Sequence, residues 1–388
     1  QVDAEAIAAA PKLKVVARAG VGLDNVDIKA ATTAGVMVVN APTSNVISAA
    51  ELAIGHIFAL ARFIPDANAS LKAGEWKRSK FTGVELYEKT IAIIGLGRIG
   101  SLVAERLRGF GATLIGYDPY VTPARAEQMG VELVSLEDAM KRADFITIHI
   151  PKTPETTGLI GEAQFAIAKP NLRIVNASRG GIIDEAALYA ALRSNRIAGA
   201  GLDVFVQEPP KGSPLLELDN IIVTPHLGAS TDEAQEKAGI SVAKSVRLAL
   251  AGDLVPDAVN VAGGNIDSSV KPGISLMENM GQILFGISGG NVSAIEVEVR
   301  GEIAAHDVSV LKLAGLKGFF ENAVTDQVSY VNAPLLAEQR GVDVKLTVDS
   351  RSDEYRNVTS IKATLADGTT ASVSGTVIGP KLAQKIVD

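Results

Sequence analysis

The sequence predicts an α/β protein with a doubly wound parallel sheet at its centre, and two features carry this prediction. Short apolar runs alternate with helical patterns between Thr90 and Thr224, which is typical of consecutive βαβ units. The runs are apolar almost throughout, as expected of strands buried on both faces of a parallel sheet. The predicted strands are Ile91–Ile94, Thr113–Tyr117, Phe145–Ile150, Arg173–Asn176, Ala200–Val204 and Ile221–Val223, and the predicted helices between them are Ile99–Phe110, Leu136–Arg142 and Asp184–Ser194.

The segments on either side of this sheet predict further layers. Leu13–Ala17 and Val36–Val39 have the pattern of two strands in another, incomplete layer. Ser48–Arg62 is a helix that is apolar almost all round, which favours a core helix at a domain junction; a subunit interface is the alternative. Asp232–Ala251 predicts a long amphipathic helix that ends at Gly252.

From about residue 265 onward the pattern is that of a separate α+β domain. Ala294–Arg300 and Val342–Val348 alternate apolar with polar residues, which predicts half-exposed antiparallel strands. A helix is expected around Asp307–Glu321. This part of the sequence contains no recognisable catalytic constellation.

Composition limits the classes of function. The 388 residues suggest two or three domains, and 47% hydrophobic with 21% charged residues is usual for a soluble globular protein. The net charge of −7, with no basic stripe, disfavours nucleic acid as a partner. Since there is no cysteine, disulfides, thiolate catalysis and thiolate metal sites are excluded. No apolar run approaches the roughly 20 residues that span a bilayer, and Gln1 does not begin a signal peptide, so we expect a cytoplasmic protein without a membrane partner.

A glycine motif between the first predicted strand and its helix indicates a dinucleotide site. In IAIIGLGRIG, Gly95 permits a tight turn, Gly97 allows the backbone to approach a pyrophosphate, and Gly100 allows close packing of helix on strand. The N-terminus of the helix offers unpaired N–H groups to phosphates. Asp118 ends the next strand, where a carboxylate accepts hydrogen bonds from ribose hydroxyls and repels a 2′-phosphate; a simple turn residue is the alternative. The pattern therefore favours NAD over NADP.

Three polar residues follow later strands of the same predicted sheet. His226, in TPHLGAS, lies where a doubly wound domain binds ligands, and histidine is the usual base for an alcohol proton near neutral pH. Glu208 is the best candidate for the carboxylate that orients such a histidine. Arg179 could bind a substrate carboxylate in bidentate fashion, or form a salt bridge at the strand end. Of the other histidines, His149 and His56 are interpreted as structural, and His306 belongs to the appended domain.

These motifs resemble a known family. TGVELYEKTIAIIGLGRIG, NASRGGIIDEAAL, DVFVQEPP and PHLGAST are together similar to the D-isomer-specific 2-hydroxyacid dehydrogenases, and AGVGLDNVD (Ala19–Asp27) narrows the resemblance to the long-form D-3-phosphoglycerate dehydrogenase branch. The resemblance covers essentially the whole chain. It implies that a further N-terminal portion precedes Gln1 and that a small serine-sensing domain of the ACT type follows Asp388.

The resemblance also implies functional residues. The catalytic trio would be Arg179, Glu208 and His226, and Asp203 would lie near the nicotinamide carboxamide. Basic residues would bind a substrate phosphate, for which Arg18, Lys77 and Arg78 are candidates; a solvated loop is the alternative for the last two. Besides the three glycines, the implied cofactor contacts are Val21, Arg98, Ile99, Asp118, Ile150, Ala177, Arg179, Asp203, His226 and Ala229.

Pattern and resemblance together predict four segments. Residues 1–40 are part of a flavodoxin-like substrate domain, and 41–230 are a Rossmann NAD-binding domain inserted in it. Residues 231–264 are the return helix and linker of the substrate domain, and 265–388 are an intervening α+β domain with a regulatory or oligomerising role.

The expected activity is NAD-dependent oxidation of 3-phospho-D-glycerate by a homodimer or homotetramer without a metal. The alternatives are a glyoxylate or hydroxypyruvate reductase of the same family and a non-catalytic, NAD-sensing protein that resembles a corepressor.

Overall fold

A computed structural model of the chain describes residues 1–253, 255–261, 266–324, 328–379 and 382–387. The chain divides into two compact units, one formed by Thr43–Glu236 and the other by Gln1–Pro42 with Lys237–Asp388. The four predicted segments and their roles stay a prediction, since compactness does not assign a role to a segment.

The N-terminal segment forms a small layer of its own. Its strands β1 and β2 pair in parallel, with Val15 opposite Met37, and match the two predicted strands with slightly shorter bounds. The side chains of Ile7, Ala31 and Val38 form a small apolar cluster there. The elements are α1 (Ala4–Ala8), β1 (Val15–Ala17), α2 (Ile28–Thr33) and β2 (Met37–Val39).

The unit 43–236 contains a parallel sheet of seven strands, which confirms the doubly wound architecture. The strands are β3 (Thr90–Ile94), β4 (Thr113–Tyr117), β5 (Glu132–Leu133), β6 (Phe145–Ile148), β7 (Arg173–Asn176), β8 (Gly199–Leu202) and β9 (Ile221–Val223). Their order is β5-β4-β3-β6-β7-β8-β9, so the chain leaves β3 in one direction and resumes at β6 in the other. The sequence predicted six strands, and the seventh, β5, was missed because it has only two residues and leaves no periodic pattern.

Helices cover both faces of this sheet. Alternate residues of β3 point to opposite sides: Ile91 and Ile93 join one apolar cluster, and Ala92 and Ile94 join the other. The nearly apolar helix α3 packs against β7, β8, β9 and α5, which confirms the core-helix interpretation. The helices are α3 (Val46–Arg62), α4 (Ile64–Lys72), α5 (Arg98–Arg108), α6 (Pro123–Gln128), α7 (Leu136–Arg142), α8 (Glu162–Ile167) and α9 (Glu185–Arg193), with short 3₁₀ turns at Arg78–Phe81 and Pro214–Glu217.

The C-terminal part forms the predicted α+β domain, but one strand direction was predicted wrongly. The two alternating segments, now within β10 and β11, pair in parallel rather than antiparallel, because α12 and α13 cross over between them. The sheet order is β11-β10-β12-β13-β14, and the other pairings are antiparallel. The long helix α10 (Asp232–Ala251) precedes this domain, whose elements are α11 (Lys271–Ser288), β10 (Val292–Gly301), α12 (Ser309–Glu321), α13 (Ala333–Gln339), β11 (Asp343–Asp349), β12 (Asn357–Leu365), β13 (Thr370–Ile378) and β14 (Ala383–Ile386).

Two kinds of feature are absent from the described residues. No single helix has both the length and the apolarity to cross a membrane; α3 and α4 reach them only as a pair bent by 62°. In the same part of the chain, no group of three or more His, Asp or Glu side chains could hold a metal ion.

Candidate active site

The glycine motif forms the predicted turn between β3 and α5. Gly95 has φ of +94°, and a Cβ there would lie 2.6 Å from the carbonyl oxygen of His149. A Cβ at Gly100 would lie 1.9 Å from the carbonyl oxygen of Gly95. Gly97 differs, since a Cβ there would meet nothing within 4 Å. Two glycines are therefore required by close packing, and the third leaves open space beside the backbone where a ligand can approach.

The surroundings of this turn fit NAD. Gly97 is the N-cap of α5 and provides no side-chain cap, so the first turn of an 11-residue helix directs its N–H groups outward. Asp118 directly follows β4 beside the turn, where its Oδ2 accepts a hydrogen bond from Leu96 N at 2.8 Å. This carboxylate thus also holds the turn. Arg98 is exposed at the first position of the helix.

The remaining predicted cofactor contacts lie in three places. Ile99 and Ile150 are half-buried, and the Cγ2 atom of Ile150 lies 2.6 Å from the position of a Cβ on Gly95. Ala177 and Ala229 lie in the loops after β7 and β9. Val21 belongs to the other unit, where its carbonyl oxygen accepts a hydrogen bond from Asn40.

His226 and Glu208 form a hydrogen-bonded pair. His226 Nδ1 lies 2.7 Å from Glu208 Oε2, and the other carboxylate oxygen of Glu208 accepts a hydrogen bond from Phe205 N at 3.1 Å. Because a carboxylate only accepts, Nδ1 carries the proton, and Nε2 is the basic nitrogen of the neutral imidazole. The His226 side chain is 46% exposed, so this pair is accessible to a substrate.

Arg179 lies in the loop after β7, which a network of short-range hydrogen bonds shapes. Asn176 Nδ2 donates to the Arg179 carbonyl oxygen at 2.9 Å, and Asn176 Oδ1 accepts from the Ser178 hydroxyl at 2.9 Å. The Arg179 guanidinium donates to the Ser178 carbonyl oxygen at 2.7 Å. A Cβ on Gly180 would lie 1.9 Å from the Phe205 carbonyl oxygen, so this loop packs closely on the segment that leads to Glu208.

The buried Asp203 holds the loop that carries His226. Its Oδ1 accepts hydrogen bonds from the Thr224 hydroxyl at 2.6 Å and from Leu227 N at 2.7 Å. Its Oδ2 accepts from Gly228 N at 2.9 Å. The resemblance implied only a cofactor contact for this residue. The positioning role of Asp203 and the participation of Thr224 were missed, because neither follows from a local motif.

His149 is structural, as expected. Its Nε2 lies 2.9 Å from the Thr147 hydroxyl, and its backbone carbonyl packs on the glycine turn. Burial lowers the pKa of this imidazole to about 4. His149 is therefore neutral at physiological pH.

The structure does not bring Lys77 and Arg78 to His226. Val84 N donates to the Ala61 carbonyl oxygen near the end of α3, and Arg78 lines a surface pocket with Arg62 there. The start of α3 lies by the His226 loop, where the Ser48 hydroxyl is 2.8 Å from that of Thr231. Ser48 and Ala61 are separated by about 20 Å of helix. Lys77 forms an ion pair with Glu75 at 2.7 Å, in accord with the solvated-loop alternative.

The third predicted phosphate contact, Arg18, belongs to the other unit. Its side chain is exposed, and it folds back so that a Cβ on Gly20 would lie 2.0 Å from its Nη1. The assignment of Arg18, Lys77 and Arg78 to a phosphate stays a prediction.

Comparison with known proteins bears directly on this site. Residues 54–228 match the D-isomer specific 2-hydroxyacid dehydrogenase NAD binding domain, and residues 269–388 match the D-3-phosphoglycerate dehydrogenase intervening domain. The NAD-dependent formate dehydrogenase of Staphylococcus aureus, solved with NAD, is similar at a TM-score of 0.63 and 34% identity over 68% of this chain and 80% of that one. D-lactate dehydrogenase from Escherichia coli gives a TM-score of 0.60 at 34% identity, over 63% and 78% of the two chains.

Two curated relatives are more similar still. D-3-phosphoglycerate dehydrogenase of Mycobacterium leprae is 55% identical over 386 residues, which is 100% of this chain and 73% of that protein. The enzyme of the same name from Methanocaldococcus jannaschii is 47% identical over 98% of this chain and 73% of its own length. With the glycine turn, the histidine–glutamate pair and both matched domains, the chain belongs to the D-3-phosphoglycerate dehydrogenases, a branch of the D-isomer-specific 2-hydroxyacid dehydrogenase family.

Proposed function

We propose that this protein oxidises 3-phospho-D-glycerate to 3-phosphohydroxypyruvate with NAD, the first step of the phosphorylated route to L-serine. The observation that carries the proposal is the pair of His226 and Glu208 at 2.7 Å. It lies in loops that follow strands of the sheet that also carries a glycine turn fitting NAD. Intervening-domain residues 269–388 support the assignment to the phosphoglycerate-oxidising branch.

In the proposed reaction, Arg179 binds the substrate carboxylate and His226 is the base. A guanidinium matches a carboxylate with two parallel hydrogen bonds and so fixes the orientation of the neighbouring hydroxyl. Nε2 of His226 takes the hydroxyl proton as the carbonyl forms. The chemistry that NAD supplies when bound is acceptance of the hydride from C2.

Glu208 has a positioning role and an electrostatic role in this scheme. Its hydrogen bond to Nδ1 keeps Nε2 free for the substrate proton, and its negative charge stabilises the imidazolium that results. Phe205 N, at 3.1 Å from Oε1, orients the carboxylate. The proton that His226 takes is then lost to solvent.

We further propose that the substrate phosphate is bound by Arg18 and further basic residues. Arg18 is exposed and offers a planar set of donors to phosphate oxygens. Lys77 and Arg78 are the weaker candidates, because within one chain they lie at the far end of α3.

The assembly and its setting are also part of the proposal. We propose a cytoplasmic homodimer or homotetramer that acts on a small molecule and binds neither nucleic acid nor membrane. The net charge of −7 supports the exclusion of nucleic acid. Light scattering of the purified protein tests the subunit number, and a monomer at micromolar concentration would contradict it.

The substrate proposal is tested by NAD reduction with 3-phospho-D-glycerate against D-glycerate. Two charge-assisted contacts to the phosphate predict a kcat/KM at least about 100-fold higher for the phosphorylated acid. Glyoxylate and hydroxypyruvate, each assayed with NADH, test the reductase alternative, which requires preference for these unphosphorylated acids. No turnover of any 2-hydroxy or 2-oxo acid, together with retained NADH binding, would instead favour the NAD-sensing alternative.

A further inference from the structure

His56 is a buried histidine that the proposed reaction does not use. It lies on α3, its side chain is 3% exposed, and its Nε2 is 3.0 Å from the Thr224 hydroxyl oxygen. Thr224 immediately follows β9 and stands two residues before His226. A polar side chain in the core thus contacts the loop on which the proposed base is carried.

The direction of these hydrogen bonds follows from the Asp203 carboxylate. Because a carboxylate only accepts, the Thr224 hydroxyl donates its one hydrogen to Asp203 Oδ1, at 2.6 Å. Thr224 must then accept from His56, so Nε2 of His56 carries the proton. Burial is the larger cause of a lowered pKa for His56, against the opposing charge of Asp203, and this agrees with a neutral ring.

The other ring nitrogen shows that His56 is more than a space-filling residue. Nδ1 is buried without a hydrogen-bond partner among the described residues, and a Cβ on Gly201 would lie 2.8 Å from it. An unpaired buried polar atom costs free energy that an apolar side chain of the same size would avoid. The gain that offsets this cost is the hydrogen bond from Nε2.

The chain of hydrogen bonds ends at the backbone around His226. Asp203 accepts from Leu227 N at 2.7 Å and from Gly228 N at 2.9 Å, the two amides that follow His226. His226 itself has φ of +56°, a left-handed conformation that a residue with a side chain adopts only when its surroundings hold it there. Holding these two amides restrains the backbone from which the imidazole projects.

We propose that His56 is a positioning residue for the reaction: through Thr224 and Asp203 it holds the His226 loop in its left-handed conformation. The inference rests on the proposed function, since it assigns His226 as the base. It adds a residue from the first helix of the unit to a site otherwise built from strand ends.

The first test compares His56→Met with His56→Gln in the purified protein. The two side chains have similar length, but only glutamine can donate to Thr224. Since misplacement of a catalytic group by about 1 Å can cost 100-fold, we expect partial loosening to lower kcat about tenfold in His56→Met. His56→Gln is expected to stay within about twofold of the wild type, and the dissociation constant of NADH should be unchanged in both. Equal kcat values for the two variants, whether both are lowered or both are unchanged, would overturn the proposal.

The second test uses Thr224→Val, with Thr224→Ser as the matched control that keeps the hydroxyl. If His56 acts through Thr224, His56→Met lowers kcat much less in the Thr224→Val background than in the wild type. Effects that simply multiply would contradict the chain of hydrogen bonds. The Tm of each variant identifies one that merely loses stability.

Amide hydrogen exchange separates this inference from the substrate proposal. Leu227 and Gly228 should exchange faster in His56→Met than in His56→Gln, whether or not the wild type oxidises 3-phospho-D-glycerate. An inactive wild type with this difference would refute the substrate proposal alone. An active wild type with identical exchange in both variants would refute the role of His56.

Discussion

Two clusters of polar residues, one in each compact unit, differ in whether their reactive groups are exposed to solvent. The strand-end cluster, formed by Arg179, Asp203, Glu208, Thr224 and His226, lies in loops that follow parallel strands. The helix-layer cluster, formed by Glu278, Lys317 and Tyr330, lies between helices of the C-terminal domain. Hydrogen bonds connect Thr224 with Asp203 and His226 with Glu208 in the first cluster, and Tyr330 with Glu278 in the second. Only the first cluster leaves a reactive nitrogen exposed.

In the helix-layer cluster every charge is satisfied by a neighbour. Lys317 forms an ion pair with Glu278 through Oε1, and the Tyr330 hydroxyl donates to Oε2 at 2.8 Å. The Lys317 ammonium also lies 4.9 Å from the centre of the Tyr330 ring. Burial, and then the hydrogen bond to Glu278, raises the pKa of Tyr330 well above its ordinary value. The hydroxyl therefore stays protonated and the cluster has no group left for a substrate.

The strand-end cluster is satisfied in its buried layer and open above it. Asp203 is 1% exposed and accepts three hydrogen bonds, whereas the His226 side chain is 46% exposed. A cluster whose members have a shifted pKa and are joined by hydrogen bonds is therefore not by itself a functional site. What marks a site is a buried polar group that fixes an exposed one.

The largest expected effect is that of removing the proposed base from the strand-end cluster. His226→Ala should lower kcat about 1000-fold, since general base catalysis contributes factors of that order. The dissociation constant of NADH should change little, because the glycine turn is untouched, and fluorescence titration measures it alongside steady-state turnover. Unchanged turnover in this variant would eliminate His226 as the base.

A smaller effect, on stability and not on turnover, is expected from the helix-layer cluster. Lys317→Met leaves the Glu278 carboxylate largely buried without its cation, and Lys317 and Glu278 are 16% and 21% exposed. We expect a loss of about 2 to 3 kcal/mol in the free energy of unfolding, somewhat below the cost for a fully buried pair. Urea unfolding followed by circular dichroism measures this loss.

The matched control for that prediction is an exposed ion pair of the same domain. Arg351 lies 3.5 Å from Asp349 and its side chain is 87% exposed, so Arg351→Met should leave the unfolding midpoint unchanged. Turnover per folded molecule should match the wild type in both variants. A loss of turnover in Lys317→Met without a loss of stability would break the contrast between the two clusters.

The residues of the two clusters also differ in how far the sequence predicted them. Arg179, Glu208 and His226 were predictable, because each follows an apolar run and the carboxyl ends of parallel strands meet at one edge of a sheet. His56 and Thr224 are 168 residues apart, and no spacing rule relates a helix residue to a loop so distant along the chain. In the C-terminal domain, alternation predicted β10 and β11 as strands but could not give their relative direction, which the crossover through α12 and α13 determines.

Close packing of helices explains why the helix-layer cluster left no signal either. A Cβ on Gly318 would lie 2.0 Å from the Glu278 carbonyl oxygen, so α11 and α12 approach at backbone distance there. Gly318 brings Lys317 within reach of Glu278, 39 residues earlier in the chain. In the sequence alone, Lys317 has the pattern of an ordinary charge on a helix face.

The smallest expected effect concerns His149, which lies beside the proposed cofactor site but has a structural role. His149 follows β6 beside the glycine turn, yet its imidazole is half-buried and its pKa is lowered to about 4. The folded protein therefore favours the neutral ring, while the unfolded chain binds a proton below pH 6.5. The contribution of the neutral His149 ring to the free energy of unfolding is fully present above pH 6.5 and is lost as the pH falls from 6.5 toward 4. The loss is about 2 kcal/mol at pH 5.

His149→Gln isolates this contribution, because glutamine keeps a donor near Thr147 but does not titrate. Between pH 7 and pH 5, the free energy of unfolding should fall about 2 kcal/mol more in the wild type than in the variant, as measured by urea unfolding at both pH values. NADH affinity at pH 7 serves as the control for the neighbouring turn. An equal pH dependence in the two proteins would show that the His149 imidazole is protonated in the folded protein at no cost in free energy. His149 would then belong with the exposed residues of the strand-end cluster and not with its buried ones.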